Sequence, residues 1–536
     1  MLYPDNRFTL SGLQAAAALY QFPAGAPERA RVLDLGCGQG DVLLSAALAW
    51  PDCVGIGIDS NEEAVSAGQR QAQRLGIANI ELVAAGLHDV LNVSPGEFDY
   101  ILIRGDFIPA GMPERDALLQ WCRRHLSAHG MIAIHQTFSP PESAAQYVQD
   151  ALAFHARLAG RSEEKVAFAR GMLSYLALTQ PEGEIKQHVL AMERVDDATL
   201  IEILAGATHT CAQFIHFNDS LSSCGLRYVG DALPQYETGE SFSEQIHQLH
   251  ALVSSGQASI AAQQYLDFAV NRRERVSLLS RDDAVNAAAL NFTRLNALHW
   301  AGDFRRYRND RGEVVNAHTN AEGKFFSTQN TTTLHILDLL GGAWPLSLSF
   351  DQLVSNARLP EKEEDVAQSV LESLKDLFLN QIPGLHWAGS PGPYNVQPEG
   401  ELTLIAPLQV GQDADITFNL WGERVALSED EREFAVAGMD VNQARSRERF
   451  TALKAKGLLK GSPEAWRKAL QRFLRLGDVD YLKSNIDTLL LLNVGSQQGG
   501  LLVDGQIMAG ERDEQDPGID LIYQKVNALI TAGLAK

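Results

Sequence analysis

The sequence predicts an α/β protein built on a parallel sheet, with further helical and mixed domains behind it. Three observations carry this. Short apolar runs alternate with helical segments from residue 31 to about 135. The first run, "RVLDLGCGQGDV" (31–42), passes into three glycines at every second position before a helix. The second run ends on an acid, Asp59.

The elements follow in order. Val32 to Leu35 reads as a short buried strand, and "DVLLSAALAW" (41–50) as a helix. "CVGIGID" (53–59) is a second strand and "EEAVSAGQRQAQRLG" (62–76) a second helix. Three more strands are "NIELVAA" (79–85), "FDYILIR" (98–104) and "GMIAIH" (130–135), with the helix "PERDALLQWCRRHL" (113–126) between the last two. Parallel sheets bind ligands at the carboxyl ends of their strands. The loops after Leu35, Ile58, Ala85 and Ile103 are therefore where chemistry is sought.

The opening stretch narrows the ligand. A dinucleotide fingerprint reads GxGxxG, but here the third glycine arrives one residue early and Asp41 takes its place. Asp34 stands two residues before the first glycine, where a pyrophosphate gains nothing from a carboxylate and an ammonium or sulfonium does. Asp59 closes the second strand, where a carboxylate accepts both hydroxyls of a ribose. An amino-acid group, a ribose and no phosphate describe S-adenosylmethionine.

On "VLDLGCGQG", the strand-end Asp59 and "FDYILI", the chain resembles the class I methyltransferases. The resemblance implies a Rossmann-like sheet and S-adenosyl-L-methionine as cofactor. It implies that Gly36, Gly38 and Gly40 let the backbone pass close to the cofactor. Asp34 would face its methionine end, Asp59 its ribose, and Gly86, Leu87 and Asp89 its adenine. Cys37, Ser60 and Ile103 complete the expected cofactor set.

Beyond the sheet the chain is helical in "SAAQYVQDALAFHARLAG" and "EEKVAFARGMLSYLAL" (143–178) and again near "ATLIEILAGATHTC". "FIHFNDSLSSCGLRYVGDALP" (214–234) reads as a helix, a stop at Gly225 and a strand. Class I sheets end with a helix and two more strands, so 212–232 is read as part of that end and 142–205 as an inserted helical lid; a catalytic domain stopping near Gln136 is the alternative. "QQYLDFAVNRRERVSLLSR" (263–281) places Tyr265, Phe268, Val276 and Leu279 at helical spacing, with Arg272, Arg273, Arg275 and Arg281 read as a solvated helix face with intramolecular ion pairs, the alternative being a clamp on an acidic partner or a neighbouring domain.

This stretch, with "HFNDSLSSCGLRYVGDA", "TTTLHILDLLGGAWPLSLSFDQLVSNA" (331–357) and the initial Tyr3 and Pro4, resembles the methyltransferase regulatory domain. That domain follows the catalytic domain in bacterial protein lysine methyltransferases, including those acting on rickettsial outer-membrane proteins. The expected division is 1–235 for cofactor binding and catalysis, 236–330 for a helical regulatory domain, 331–395 for a winged-helix-like domain and 396–536 for an α+β C-terminal domain. In the last, "LTLIAPLQV" and "DITFNLWG" alternate as strands, a helix opens at Ser428 with Glu431 in a capping box, and another opens at Ser462 with Pro463 in its first turn.

Composition bounds the partners. The 536 residues carry 67 Asp plus Glu against 45 Lys plus Arg, a formal charge of -22. That balance argues against nucleic acid and anionic membranes and leaves a lysine-bearing substrate welcome. The five cysteines lack CxxC spacing, so no metal is expected and a reducing cytoplasm fits. No signal-peptide pattern opens the chain and no apolar run is long enough to insert in a membrane. The relatives suggest a homodimer.

A lysine acceptor must lose its proton before it attacks, so the site should offer a base or desolvate the ammonium. The candidates are Arg104, Asp106, Phe107, His135, Gln136 and Phe138, with His135 or Asp106 taking the proton and the phenylalanines packing beside a methylammonium. The lysine methyltransferases carry "HGVYSW" and "SYNTYPGW" in the two acceptor loops. Here they read "RGDFIP" (104–109) and "HQTFSPP" (135–141), so only Gly105 and Pro140 match. The expectation is an S-adenosylmethionine-dependent methyltransferase of protein lysines. A small molecule or modified peptide as acceptor, and a non-catalytic cofactor-binding scaffold, are the alternatives.

Overall fold

The computed structural model describes residues 6–469, apart from 109–110, 138–142, 160, 162–163, 206–213, 286, 309–313, 321–322, 358–364, 406–415, 427–443 and 467–468. The chain divides into two compact units. One comprises Met1–Leu19, Ala24–Ala85 and Asn291–Lys536; the other comprises Tyr20–Pro23 and Gly86–Leu290. Three parallel strands fall in the first unit and a four-stranded arrangement in the second.

The first unit opens with α1 (Leu10–Leu19), β1 (Arg31–Leu35), α2 (Asp41–Ala49), β2 (Val54–Asp59), α3 (Glu62–Arg74) and β3 (Ile80–Ala84). The strands lie β3-β2-β1, all parallel, with Leu35 opposite Ile58 and Asp59 opposite Ala84. Such parallel strands need apolar faces on both sides, and β1 is buried from Val32 to Leu35. Helix α2 is apolar all round and buried from Val42 to Ala49. Helix α3 is amphipathic, with Val65, Gly68 and Ala72 on its buried face. It starts at Asn61, whose side chain accepts from the Glu63 and Ala64 amides at 3.1 Å each, and Glu62 and Glu63 favour its positive end.

The second unit continues with α4 (Leu87–Leu91), β4 (Phe98–Ile103), α5 (Met112–Arg124) and β5 (Leu126–Thr137). Helices α6 (Ala144–Ala156), α7 (Glu164–Thr179), α8 (Glu184–Met192), α9 (Asp197–Ala205) and α10 (Phe214–Leu221) come next. Then follow β6 (Leu226–Asp231), α11 (Glu244–Ser254), α12 (Ser259–Val270) and β7 (Glu274–Arg281). Its strands lie β4-β5-β7-β6. β4 and β5 are parallel; β7 runs antiparallel to β5, from Ile132 opposite Leu279 to Thr137 opposite Glu274, and antiparallel to β6. Residues 214–231 therefore do complete the sheet, through β7. Between α10 and β6, Gly225 takes the left-handed conformation (φ 69°) that ends the helical turn. Helices α6, α7 and α12 share one core that includes Leu152, Leu173, Leu176 and Tyr265. Polar ties join them: the Tyr147 hydroxyl donates to the Phe268 carbonyl at 2.6 Å, and Gln180 Nε2 donates to the carbonyls of Phe268 and Ala269.

Two expectations are corrected here. Residues 263–281 are not one helix: α12 ends at Val270, Asn271 turns the chain at φ 50°, and β7 follows. An alternation of period two, with Val276 and Leu278 buried, was masked by the unbroken buried run from Arg275 to Ser280. The segment 236–330 is accordingly helical only as far as α12. Of the arginines, Arg273 is exposed and Arg281 pairs with Asp283 at 2.7 Å, but Arg272 and Arg275 are not on a solvated face. The Arg275 side chain is fully buried; Nη2 and Nε grip Asp267 at 2.6 and 3.0 Å, and Nη2 also reaches Gln263 at 3.0 Å. Its guanidinium lies 4.3 Å above the Phe214 ring. Arg272 is buried beside the same aspartate. Burial opposes the charge of Arg275, but Asp267, Tyr228 and Asp231 together hold it firmly protonated.

The first unit resumes with β8 (His299–Gly302), β9 (Arg305–Arg308), β10 (Val314–Thr319), β11 (Phe325–Ser327), α13 (Thr331–Ala343), β12 (Leu348–Ser349), α14 (Phe350–Asn356), α15 (Val366–Leu379) and β13 (Leu385–Ala388). Two small sheets form, β11-β10-β9 and β12-β8-β13. Helix α14 opens on a capping box between Ser349 and Gln352. Farther on, Thr403–Leu404 pairs with Leu459–Lys460, and Ile416–Phe418 with Arg424–Ala426. Ser462 caps the next turn by accepting from the Ala465 amide at 3.2 Å. The helix expected at Ser428, and Tyr3 and Pro4, lie outside the described residues.

Candidate functional site

In the first unit the glycine loop joins β1 to α2. Gly36, Gly38 and Gly40 all take positive φ (82°, 57° and 79°), which β-carbon-bearing residues adopt only with strain. The loop's amides are spent on its own closure. Gly36 and Cys37 both donate to the Ile58 carbonyl, at 2.8 and 3.2 Å, and Gly40 donates to Cys37 O at 2.9 Å. Gly38 donates to Asp59 Oδ2 at 2.8 Å. The other carboxylate oxygen of Asp59 accepts from the Asn61 amide at 2.9 Å. A phosphate cradle needs its amides turned outward, and these four are not. The loop instead presents a half-buried carboxylate, fixed at both oxygens, each with a further lone pair for a hydroxyl. In front of Gly38 a β-carbon would meet nothing within 4 Å, so this turn opens onto free space. A nucleoside with a ribose and no phosphate at this end fits these residues.

Packing against the loop explains its other glycines. A β-carbon at Gly40 would lie 2.8 Å from the Leu82 side chain, and one at Gly68 only 2.2 Å from the Gln39 carbonyl oxygen. Gly68 thus lets α3 rest directly on the loop. Cys37 is 4% exposed, and its sulfur lies 3.0 Å from where a Gly57 β-carbon would stand. Its side chain therefore packs inward, and its expected role is left to the backbone. Asp34 is completely buried and engaged within the protein. Ser60 is exposed beside Asp59.

In the second unit, Gly86 precedes α4, and Asp89 Oδ2 accepts the Gly86 amide at 3.0 Å, which caps that helix. Leu87 is half-buried. At the end of β4, Ile103 is fully buried, and Arg104 leads into a short helical turn, Gly105–Phe107. Phe107 is 7% exposed. The backbone of Asp106 lies in that turn. Phe138 and Pro140 lie outside the described residues.

At the end of β5, His135 is partly exposed and its Nε2 lies 3.0 Å from Glu274 Oε2 of β7. Gln136, expected near the acceptor, is buried and accepts from the Ser277 hydroxyl at 2.7 Å. It stitches β5 to β7 and offers no polar atom of that bond to a substrate. Sequence reasoning missed Asn61, Gly68 and Glu274. A carboxylate within an arginine-rich run gives no signal of its own until β7 is paired with β5. Among the described residues, no group of three or more His, Cys, Asp or Glu is arranged to hold a metal, and no helix is long and apolar enough to cross a membrane.

Comparison with known proteins finds two family matches, one after the other along the chain. Residues 27–184 match the methyltransferase domain family, and residues 201–281 match the predicted methyltransferase regulatory domain. An uncharacterized protein of Rickettsia prowazekii is 24% identical over 278 residues, 51% of this chain and 49% of that protein. The chain thus spans about half the length of that curated relative. The release factor glutamine methyltransferase of Escherichia coli is 46% identical over 70 residues, 13% of this chain and 23% of its own. Among solved structures, PKMT2 from Rickettsia typhi in complex with AdoHcy aligns with a TM-score of 0.58 at 16% identity, covering 92% of this chain and 99% of that one. At that identity the likeness shows a shared fold.

Proposed function

A methyltransferase domain followed by a methyltransferase regulatory domain is the premise from which we propose that this chain is an S-adenosylmethionine-dependent methyltransferase that N-methylates lysine side chains of a protein substrate. The observation that carries the cofactor is the closed glycine loop. Four of its amides are spent on Ile58, Cys37 and Asp59, and Asp59 stands clamped for a ribose.

When bound, S-adenosylmethionine supplies a methyl group on a sulfonium, which a nitrogen lone pair can displace in line. Asp59 accepts the ribose hydroxyls, and the left-handed turn at Gly38 keeps the backbone clear of the ligand. Gly86, Leu87 and Asp89 are carried forward as the adenine end, and Cys37, Ser60 and Ile103 as neighbours. His135 takes the ammonium proton of the incoming lysine, and Arg104 and Asp106 are the further candidates at that end. A general base of this kind contributes roughly 10²- to 10⁴-fold to rate. The chain's charge of -22 favours approach of a cationic acceptor.

A modified peptide or small amine as acceptor is the second reading. The observation behind it is that "RGDFIP" and "HQTFSPP" lack the aromatic residues of the lysine methyltransferase loops. Calorimetric titration of the chain with S-adenosylhomocysteine tests the cofactor assignment. Binding by the wild type and none by Gly38→Arg is expected; equal binding by both would refute the role of the loop.

A further inference from the structure

We infer that Glu274, which lies within the segment matching the regulatory domain, is a positioning residue that holds His135 with its Nδ1 lone pair as the base for the acceptor. The inference rests on the reading of His135 as that base.

The bond itself fixes the tautomer. An ionised carboxylate has no hydrogen to give, so at 3.0 Å the Nε2 of His135 must be the donor and Glu274 Oε2 the acceptor. In the neutral ring the remaining lone pair is then on Nδ1. One ring nitrogen is tethered and the other is left with the capacity to receive a proton.

The tether has a rigid origin. In the β5–β7 pairing, His135 lies opposite Val276 and Thr137 opposite Glu274. Residues 135, 137, 274 and 276 therefore share one face, and the imidazole and the carboxylate meet on a diagonal. The opposite face of β7 starts with Arg275, whose buried guanidinium is held by Asp267 and Gln263 of α12. On that same face Ser277 bonds Gln136. The start of β7 is thus locked from behind, and Glu274 is presented by a strand that cannot slide.

An exposed ion pair adds little to stability, and Glu274 is 53% exposed, so its contribution should appear in orientation and not in folding. This also gives the segment 201–281 a concrete chemical part: it supplies two sheet strands and the residue that orients a group on the strand next to them.

The test uses the full chain and the initial rate at saturating methyl-labelled S-adenosylmethionine, read as acid-precipitable label in lysate protein. Glu274→Ala is expected to lower that rate by about 10- to 100-fold, a part of what a general base contributes. Its affinity for S-adenosylhomocysteine should stay within about twofold, and its thermal midpoint within about 2 °C. Glu274→Gln, which keeps an acceptor oxygen but not the charge, should recover part of the rate. In a His135→Ala background, Glu274→Ala should have no further effect. A wild-type rate for Glu274→Ala would overturn the inference, as would losses that multiply independently with His135→Ala, and in either case the base reading would stand. Should His135→Ala itself keep the full rate, the base reading fails and the inference falls with it.

Discussion

Asp59→Asn is the substitution whose consequence follows most directly from the geometry. The carboxylate receives two amide hydrogens, from Gly38 at 2.8 Å and from Asn61 at 2.9 Å. An asparagine keeps one carbonyl oxygen and must turn an NH₂ toward the other amide. One charge-assisted bond is lost, about 1.5–3 kcal/mol. The residue is half-exposed, so water relieves part of the loss and the lower end applies. Folding should change little, because the loop has its other bonds to Ile58 and Cys37. The deficit appears where the loop must be ordered, in ligand binding. With 1.4 kcal/mol per factor of ten, affinity for S-adenosylhomocysteine should fall roughly tenfold. Calorimetric titration reads this, and urea unfolding checks that the variant is folded. A folded Asp59→Asn protein that binds within twofold of wild type would refute the reasoning.

Other substitutions probe the packing around this loop and the buried charges. Gly68→Ala would put a β-carbon 2.2 Å from the Gln39 carbonyl, so α3 must lift off the loop; a loss of about 1–3 kcal/mol in urea unfolding is expected, with weaker cofactor binding. Arg275→Met would leave Glu237 without its cation and Asp267 and Asp231 with Arg272 alone, and unfolding experiments should show a loss of about 3–5 kcal/mol. Burial lowers the Lys454 ammonium from 10.5 to about 8, against the pull of Asp303. The folded state then holds fewer protons than the unfolded one between those values, so this group adds stability as pH rises through that window. The shift corresponds to about 3 kcal/mol. Lys454→Met should therefore be more stable than wild type at pH 7 by about 1–3 kcal/mol, less what the hydrogen bond to Gly341 O contributed, and the gap should close by pH 10.5. A gap constant with pH would contradict the account.

Much of the sheet was legible because its signals are local. The strands from β1 to β5 are short apolar runs with helices between them, and the glycines at 36, 38 and 40 announce a turn that only positive φ allows. Asp59 was legible from its place at a strand end. What escaped depends on partners far away in sequence. β7 is buried from Arg275 to Ser280, so its alternation disappears and its apolar residues also satisfy helical spacing. Arg275 looks like surface charge until Asp267, Asp231 and Glu237 are brought around it. Gln136 was placed toward the acceptor by position alone, and its bond to Ser277 depends on a strand pairing that the motif does not encode. Glu274 became visible only when β7 took its register against β5.

The central claim is transfer of a methyl group to protein lysine. The direct measurement is to incubate the full chain with methyl-labelled S-adenosylmethionine and a lysate of the source organism. Gly38→Arg serves as the control, and labelled protein is hydrolysed to amino acids. Label recovered as methyl-lysine with the wild type, and absent with Gly38→Arg, is the predicted result. Label confined to the small-molecule fraction, or absent from both while the wild type binds S-adenosylhomocysteine, would contradict it.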